Sequence, residues 1–68
     1  MKNTIKVERA RSNLTQQDLA DKVGVSRQTI NSIESQKYVP STVLALKIAK
    51  IFGLKVDEIF ELETDDFL

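Results

Sequence analysis

Residues 15 to 35 constrain the fold more than any other part of the chain. Two short segments with helical spacing of apolar residues stand there, each opened by a hydroxyl side chain, with only Gly24-Val25-Ser26 between them. In the first, Thr15-Gln16-Gln17-Asp18 places a hydroxyl at the N-cap and a carboxylate in the first turn, where the helix dipole favours negative charge. Leu19, Ala20 and Val23 then form one apolar face. Gly24 ends the segment, at a position expected to need positive φ. Ser26 caps the second segment, Arg27 to about Ser35, whose inner face is Ile30 and Ile33. A joint this short forces two helices to cross steeply. Ala20 is small where they meet, and Val25, Ile30 and Ile33 fill the wedge against Leu19 and Val23. This is a helix-turn-helix layout over residues 15–35.

The flanking sequence supplies three more helices. One runs from about Thr4 to Ser12, with Ile5 facing inward and Asn13 as a left-handed stop. After a loop, Gln36 to Pro40, Ser41 caps a helix over Thr42 to Phe52 whose apolar surface is Leu44, Ile48, Ala49, Ile51 and Phe52, closed by Gly53. Val56 to Phe60 gives one or two further turns. The expected architecture is an all-α, five-helix domain over residues 1–60 with an acidic tail over 61–68. Phe60-Glu61-Leu62-Glu63-Thr64 alternates apolar and polar residues with the period of a strand. That makes the tail a candidate strand at a dimer interface, and Met1 to Thr4 could supply its partner strand or a cover.

Composition removes whole classes of function. The chain of 68 residues has no cysteine and no histidine, so disulfides, thiolate metal sites, the commonest zinc ligand and the commonest general base are missing. There is no glycine-rich phosphate loop, and a domain this small leaves no room for a ligand cleft of roughly 300 Å³ or more. The acids of the tail have no calcium-loop spacing. No catalytic residue, metal, cofactor or small-molecule ligand is therefore expected. No apolar run approaches the roughly 18 residues of a membrane span. Met1-Lys2-Asn3-Thr4 leads directly into an amphipathic segment without a signal-peptide core. A cytoplasmic location without a membrane partner is the expectation.

Net charge is zero, but it is unevenly spread. Residues 1–38 carry seven basic against four acidic side chains, a balance of +3, and residues 39–68 carry three against six, a balance of −3. That asymmetry suits a module with one face toward nucleic acid. The outward arc of the third helix says more. Arg27, Gln28, Asn31, Ser32 and Ser35 fall opposite Ile30 and Ile33. Arginine and the amides are the side chains that contact guanine and adenine edges in the major groove. A merely solvated helix would favour Glu and Lys, which form helix better and pair along its surface.

The run from Gln16 to Glu34 resembles the helix-turn-helix of the phage-repressor/Cro family, the xenobiotic-response-element type. The likeness continues through Lys37-Tyr38-Val39-Pro40-Ser41, Leu46-Lys47-Ile48-Ala49 and Asp57-Glu58-Ile59-Phe60, covering about residues 5 to 60. It is closest to short stand-alone regulators. Ser12 departs from the pattern, standing where a larger apolar residue is common. The resemblance implies a lambda-repressor-like fold and a sequence-specific transcriptional regulator, a repressor by preference, docking its recognition helix in the major groove of double-stranded DNA. It implies base reading by Arg27, Gln28 and Ser32, with Asn31 beside them. Backbone contacts fall to Gln16, Lys37 and Tyr38, and Ser26 joins them at the turn. Arg9 and Glu34 match a structural ion pair.

One such domain reads too few base pairs to single out a genomic site. A homodimer on a palindromic operator is therefore expected, its interface in the C-terminal third at Leu54, Val56, Phe60, Leu62 and Phe67. A protein-interaction module that kept the fold and lost DNA binding is the competing reading. The polar row on the third helix speaks against it.

Overall fold

Hydroxyl caps fix where three of the helices begin. In the computed structural model, which describes residues 1–68, these are α2 (Gln16–Val23), α3 (Arg27–Glu34) and α4 (Thr42–Phe52). Thr15 and Asp18 form a reciprocal capping box, with Asp18 N–H donating to Thr15 Oγ1 at 2.9 Å and Thr15 N–H to Asp18 Oδ2 at 3.0 Å. Ser26 accepts from Thr29 N–H and Ser41 from Leu44 N–H, each at 3.2 Å. The two remaining helices are α1 (Ile5–Arg11) and the single turn α5 (Val56–Ile59).

The helices end as regularly as they start. After α1, Leu14 N–H donates to Arg9 C=O at 2.9 Å and Asn13 sits at φ 55°. After α3, Lys37 N–H donates to Ser32 C=O at 2.9 Å with Gln36 at φ 63°. After α4, Leu54 N–H donates to Ala49 C=O at 3.0 Å with Gly53 at φ 67°. In each case one left-handed residue turns the chain back over the last carbonyls. Asn13 and Gly53 tolerate that conformation; Gln36 is strained by it.

Ile5, Leu19, Ile30, Ile33, Ile48 and Ile59 are fully buried, and Ala20, Val23, Leu44, Ala45, Ala49 and Phe60 complete the core. Removing each large side chain from water contributes roughly 1.5–3 kcal/mol. The inner faces of α2 and α3 are those expected. Phe60 requires a correction: at 6% exposure its ring belongs to the protomer's own core and offers a second chain almost no area.

The N-terminal residues are the strand's partner, as the sequence allowed, and the expectation is corrected in extent and in where the pair lies. β1 (Lys2–Asn3) and β2 (Phe60–Glu61) pair antiparallel within the one chain, Lys2 opposite Glu61 and Asn3 opposite Phe60. Thr4 N–H continues the ladder to Ile59 C=O at 3.0 Å. The alternation beyond Glu61 does not remain extended. Residues Thr64–Phe67 form a 3₁₀ turn, capped by Glu63 N–H donating to Asp66 Oδ2 at 2.7 Å. The Met1 ammonium meets Glu63 at 3.1 Å and Asp66 at 3.2 Å, which ties the acidic tail to the start of the chain.

Candidate nucleic-acid interface

Capping by Ser26 brings α3 out of the turn with its first residues clear of the domain. Arg27 and Gln28 are exposed at its first two positions, and Asn31 is exposed one turn on. Ser32 is half-buried beside them. Arg27 has no carboxylate within ion-pair distance. Its guanidinium therefore stands free with five donors. The Ser26 hydroxyl is engaged by the cap and lies 3.0 Å from Thr29 Oγ1.

The loop after α3 is drawn to the same face. Lys37 N–H and Tyr38 N–H both donate to Ser32 C=O, at 2.9 and 3.2 Å. Tyr38 then lines a shallow hollow of about 300 Å³ with Gln28, Thr29 and Ser32. Lys37 is exposed and has no carboxylate partner. Thus α3 and its following loop together present Arg27, Gln28, Asn31, Ser32, Lys37 and Tyr38.

Gln16 behaves differently from the sequence expectation. Its Nε2 donates to Asn31 Oδ1 and to Glu34 Oε1, each at 3.2 Å. A primary amide has two N–H protons, and both are engaged inside the protein. A phosphate at this helix start would meet the backbone N–H groups of Gln16 and Gln17, since that of Asp18 is taken by the Thr15 cap. Asp18, part of the same turn, is held below the usual carboxyl range by the hydrogen bond from Thr15 N–H, with the Thr15 side chain and Lys22 adding to it.

Behind this amide lies the ion pair of Arg9 with Glu34. Arg9 Nε and Nη2 meet the two carboxylate oxygens at 2.6 and 3.0 Å, and Nη1 donates to Leu14 C=O at 3.0 Å. The bidentate contact raises the Arg9 guanidinium above its ordinary range. Glu34 thus joins α1 to α3 and, through Gln16, α2 to both. Asn3 adds a second clasp, its Nδ2 donating to Ile33 C=O at 2.9 Å. Sequence reasoning did not reach the links of Gln16 and Asn3, because each depends on how two elements cross.

No group of acidic, histidine or cysteine side chains is placed to hold a metal. No helix is long and apolar enough to cross a membrane.

Comparison with known proteins places this geometry in context. The sequence model described as Helix-turn-helix matches residues 5–59. An HTH-type transcriptional regulator of Methanocaldococcus jannaschii is 61% identical over 66 residues, spanning 97% of this chain and 100% of its own length. The HTH-type transcriptional regulator YgzD of Bacillus subtilis is 48% identical over 66 residues, with the same coverage. One from Archaeoglobus fulgidus is 46% identical, covering 97% of this chain and 93% of its own. Among solved structures, a transcriptional regulator from Listeria innocua superposes with a TM-score of 0.70 over 98% of this chain and 70% of its own, at 17% identity. That likeness supports the fold alone.

Proposed function

The chain belongs to the helix-turn-helix family of DNA-binding transcriptional regulators, and on that premise we propose that it is a repressor acting as a homodimer on a palindromic operator. The observation that carries the reading is the row of Arg27, Gln28 and Asn31, exposed along the start of α3 with the Arg27 guanidinium unpaired. In the major groove Arg27 suits guanine O6 and N7, and Gln28 suits adenine N6 and N7. Ser32 adds a shorter contact deeper on the same face. Lys37, Tyr38, the backbone at Gln16 and the turn at Ser26 serve the phosphates, which position the helix without reading sequence.

Two copies set about 34–36 Å apart would read successive major grooves, as palindromic half-sites require. Leu54, Val56, Leu62 and Phe67 are the residues of the C-terminal third offered for pairing, and Phe60 supports them from within the core. Occupying a promoter demands no surface for recruiting polymerase, which favours repression in a domain this small. The reading places the protein in the cytoplasm with its DNA. Selection of binding sites from random duplexes at a stated salt concentration tests it. A symmetric consensus is expected, against which Arg27→Ala and Gln28→Ala each lose about 1–3 kcal/mol with relaxed preference at particular base pairs. Failure to enrich any sequence would overturn the proposal.

A further inference from the structure

The outer face of α4 carries a stripe that neither the core nor the DNA face uses. Val43 and Leu46 are 63% and 55% exposed, and Lys47, Lys50 and Ile51 follow at helical spacing. Against the end of α2 this stripe forms an open groove of about 620 Å³, with Lys22 on the opposite wall, which corrects the expectation that so small a domain leaves no room for a cleft of that size. The single acid on the rim, Asp21, already accepts from Gln17 Nε2 at 2.8 Å. The groove therefore offers an apolar floor with three lysines around it. No residue of the chain's own tail lines it.

The tail has the opposite character. Leu62 and Phe67 are 60% and 75% exposed. Glu63 and Asp66 engage the Met1 ammonium, and Glu61 and Asp65 stay exposed outside ion-pair distance of any cation, with Lys2 opposite Glu61 in the ladder and beside Asp65. The tail thus presents apolar side chains flanked by unpaired carboxylates, held in a folded turn.

We propose that this lysine-rimmed groove receives the acidic tail of a second copy of the chain, so that each protomer's tail seats on its partner's α4. The proposal rests on the homodimer reading and adds its receiving surface. Charge decides between the possible pairings. Groove against groove would bring Lys47 and Lys50 up to their own copies, and tail against tail would face carboxylate with carboxylate. Only groove against tail buries both apolar surfaces with opposite charges adjoining. Such complementarity favours one register and penalises the wrong ones. Reciprocal seating also closes the assembly at two chains, as a two-fold interface does.

A charge exchange tests it, with assembly read by light scattering and native mass spectrometry in the absence of DNA. The wild-type chain is expected to be dimeric at micromolar concentration. Lys47→Glu with Lys50→Glu gives an acidic groove beside an acidic tail, and Glu61→Lys with Asp65→Lys gives a basic tail beside a basic groove. Each variant alone should be monomeric with its helical circular dichroism intact, and an equimolar mixture should form a one-to-one heterodimer. All four positions are exposed. Should either pair nonetheless disturb the fold, Phe67→Ala replaces it and should weaken dimerisation at least tenfold. A wild-type monomer overturns this proposal and leaves only a dimer formed on DNA. A groove variant that stays dimeric overturns the groove and leaves the homodimer standing. Two monomeric variants that fail to pair when mixed exclude the tail as the occupant. A groove variant that loses only DNA affinity, with assembly unchanged, assigns the lysines to phosphates instead.

Discussion

The Gln16 amide nitrogen meets the Asn31 amide oxygen at 3.2 Å, and the same nitrogen lies 3.2 Å from Glu34 Oε1. Both Glu34 carboxylate oxygens accept from Arg9, so Glu34 Oε1 takes a donor from Gln16 and fixes nitrogen rather than oxygen at that end of the amide. Asn31 must then turn its oxygen inward, which leaves its N–H groups facing outward. A donor there suits guanine N7 or O6, adenine N7 or thymine O4, and it disfavours the amino group of cytosine. Gln16→Ala should free the Asn31 amide to rotate, so that cytosine becomes tolerated at one operator position. The discrimination lost is about 1 kcal/mol, the usual worth of one hydrogen bond. Site selection with both proteins checks this; identical base preferences would remove Gln16 from the argument.

The ion pair behind that amide should be costly to break and cheap to replace. Arg9 and Glu34 are largely shielded and joined by two short hydrogen bonds. Arg9→Ala strands the Glu34 carboxylate and should cost about 3 kcal/mol in urea unfolding. Arg9→Met combined with Glu34→Leu removes both charges and should recover most of that loss. Equal destabilisation by the single and double variants would mean that the hydrogen bonds to Leu14 C=O and from Gln16, not the stranded charge, account for the loss.

What could be read in advance was whatever the chain decides locally. Thr15, Ser26 and Ser41 satisfy N–H groups within their own first turn, and Asn13, Gly24 and Gly53 are residues that adopt positive φ readily. The face of α3 was legible because its inner isoleucines fix its rotation. The Gln16 amide was legible only as a polar side chain at a helix start, since its partners lie 15 and 18 residues away on another helix. The alternation at Phe60 to Thr64 signalled a strand, and the residues before Ile5 a candidate partner for it, but not how short the pairing is or that it closes within one chain. Pairing Asn3 with Phe60 depends on the whole domain bringing its two ends together.

Gln36 marks a place where the fold accepts strain. It holds φ 63° at the end of α3 so that Lys37 N–H can reach Ser32 C=O. A side chain in this conformation costs about 1 kcal/mol relative to glycine. Gln36→Gly should therefore raise stability by up to that amount, or about 4–8 °C in Tm for a domain of this size. At Gly24, φ 75°, nothing crowds a Cβ, so Gly24→Ala should lose a similar amount through backbone strain alone. Thermal unfolding of both variants checks the pair, and a Gln36→Gly protein less stable than wild type would contradict the assignment.

Lys37 is exposed beside the recognition helix and unpaired. If it neutralises one phosphate, its replacement by alanine should reduce the steepness of the log affinity against log salt plot by about one unit. Base preference should stay as it is, because phosphate contacts carry no sequence information. A lower affinity with an unchanged salt slope would remove Lys37 from the backbone contacts.

The attachment of the tail should depend on pH at both ends of the scale. Hydrogen bonds donated to the Glu63 and Asp66 carboxylates raise the Met1 amine above its ordinary value of 8.0. The Glu63 N–H, then the Met1 ammonium, hold Asp66 below its ordinary value of 3.8. For the amine, the folded state binds the proton more tightly than the unfolded state. Its contribution is full below 8.0 and fades as pH rises through the raised value. For Asp66 the sign reverses, with the contribution full above 3.8 and fading as pH falls through the lowered value. Tail order should therefore form a plateau between these limits and fall away on either side. Amide exchange at Asp66 and Leu68, whose N–H groups bond Glu63 C=O at 3.0 Å and Asp65 C=O at 3.2 Å, reports it directly. Acetylating the Met1 amine should abolish the alkaline limb, because the titrating group is then gone, and should lower protection across the plateau. An acetylated chain with undiminished tail protection would show that β1 and β2 hold the tail without the ammonium.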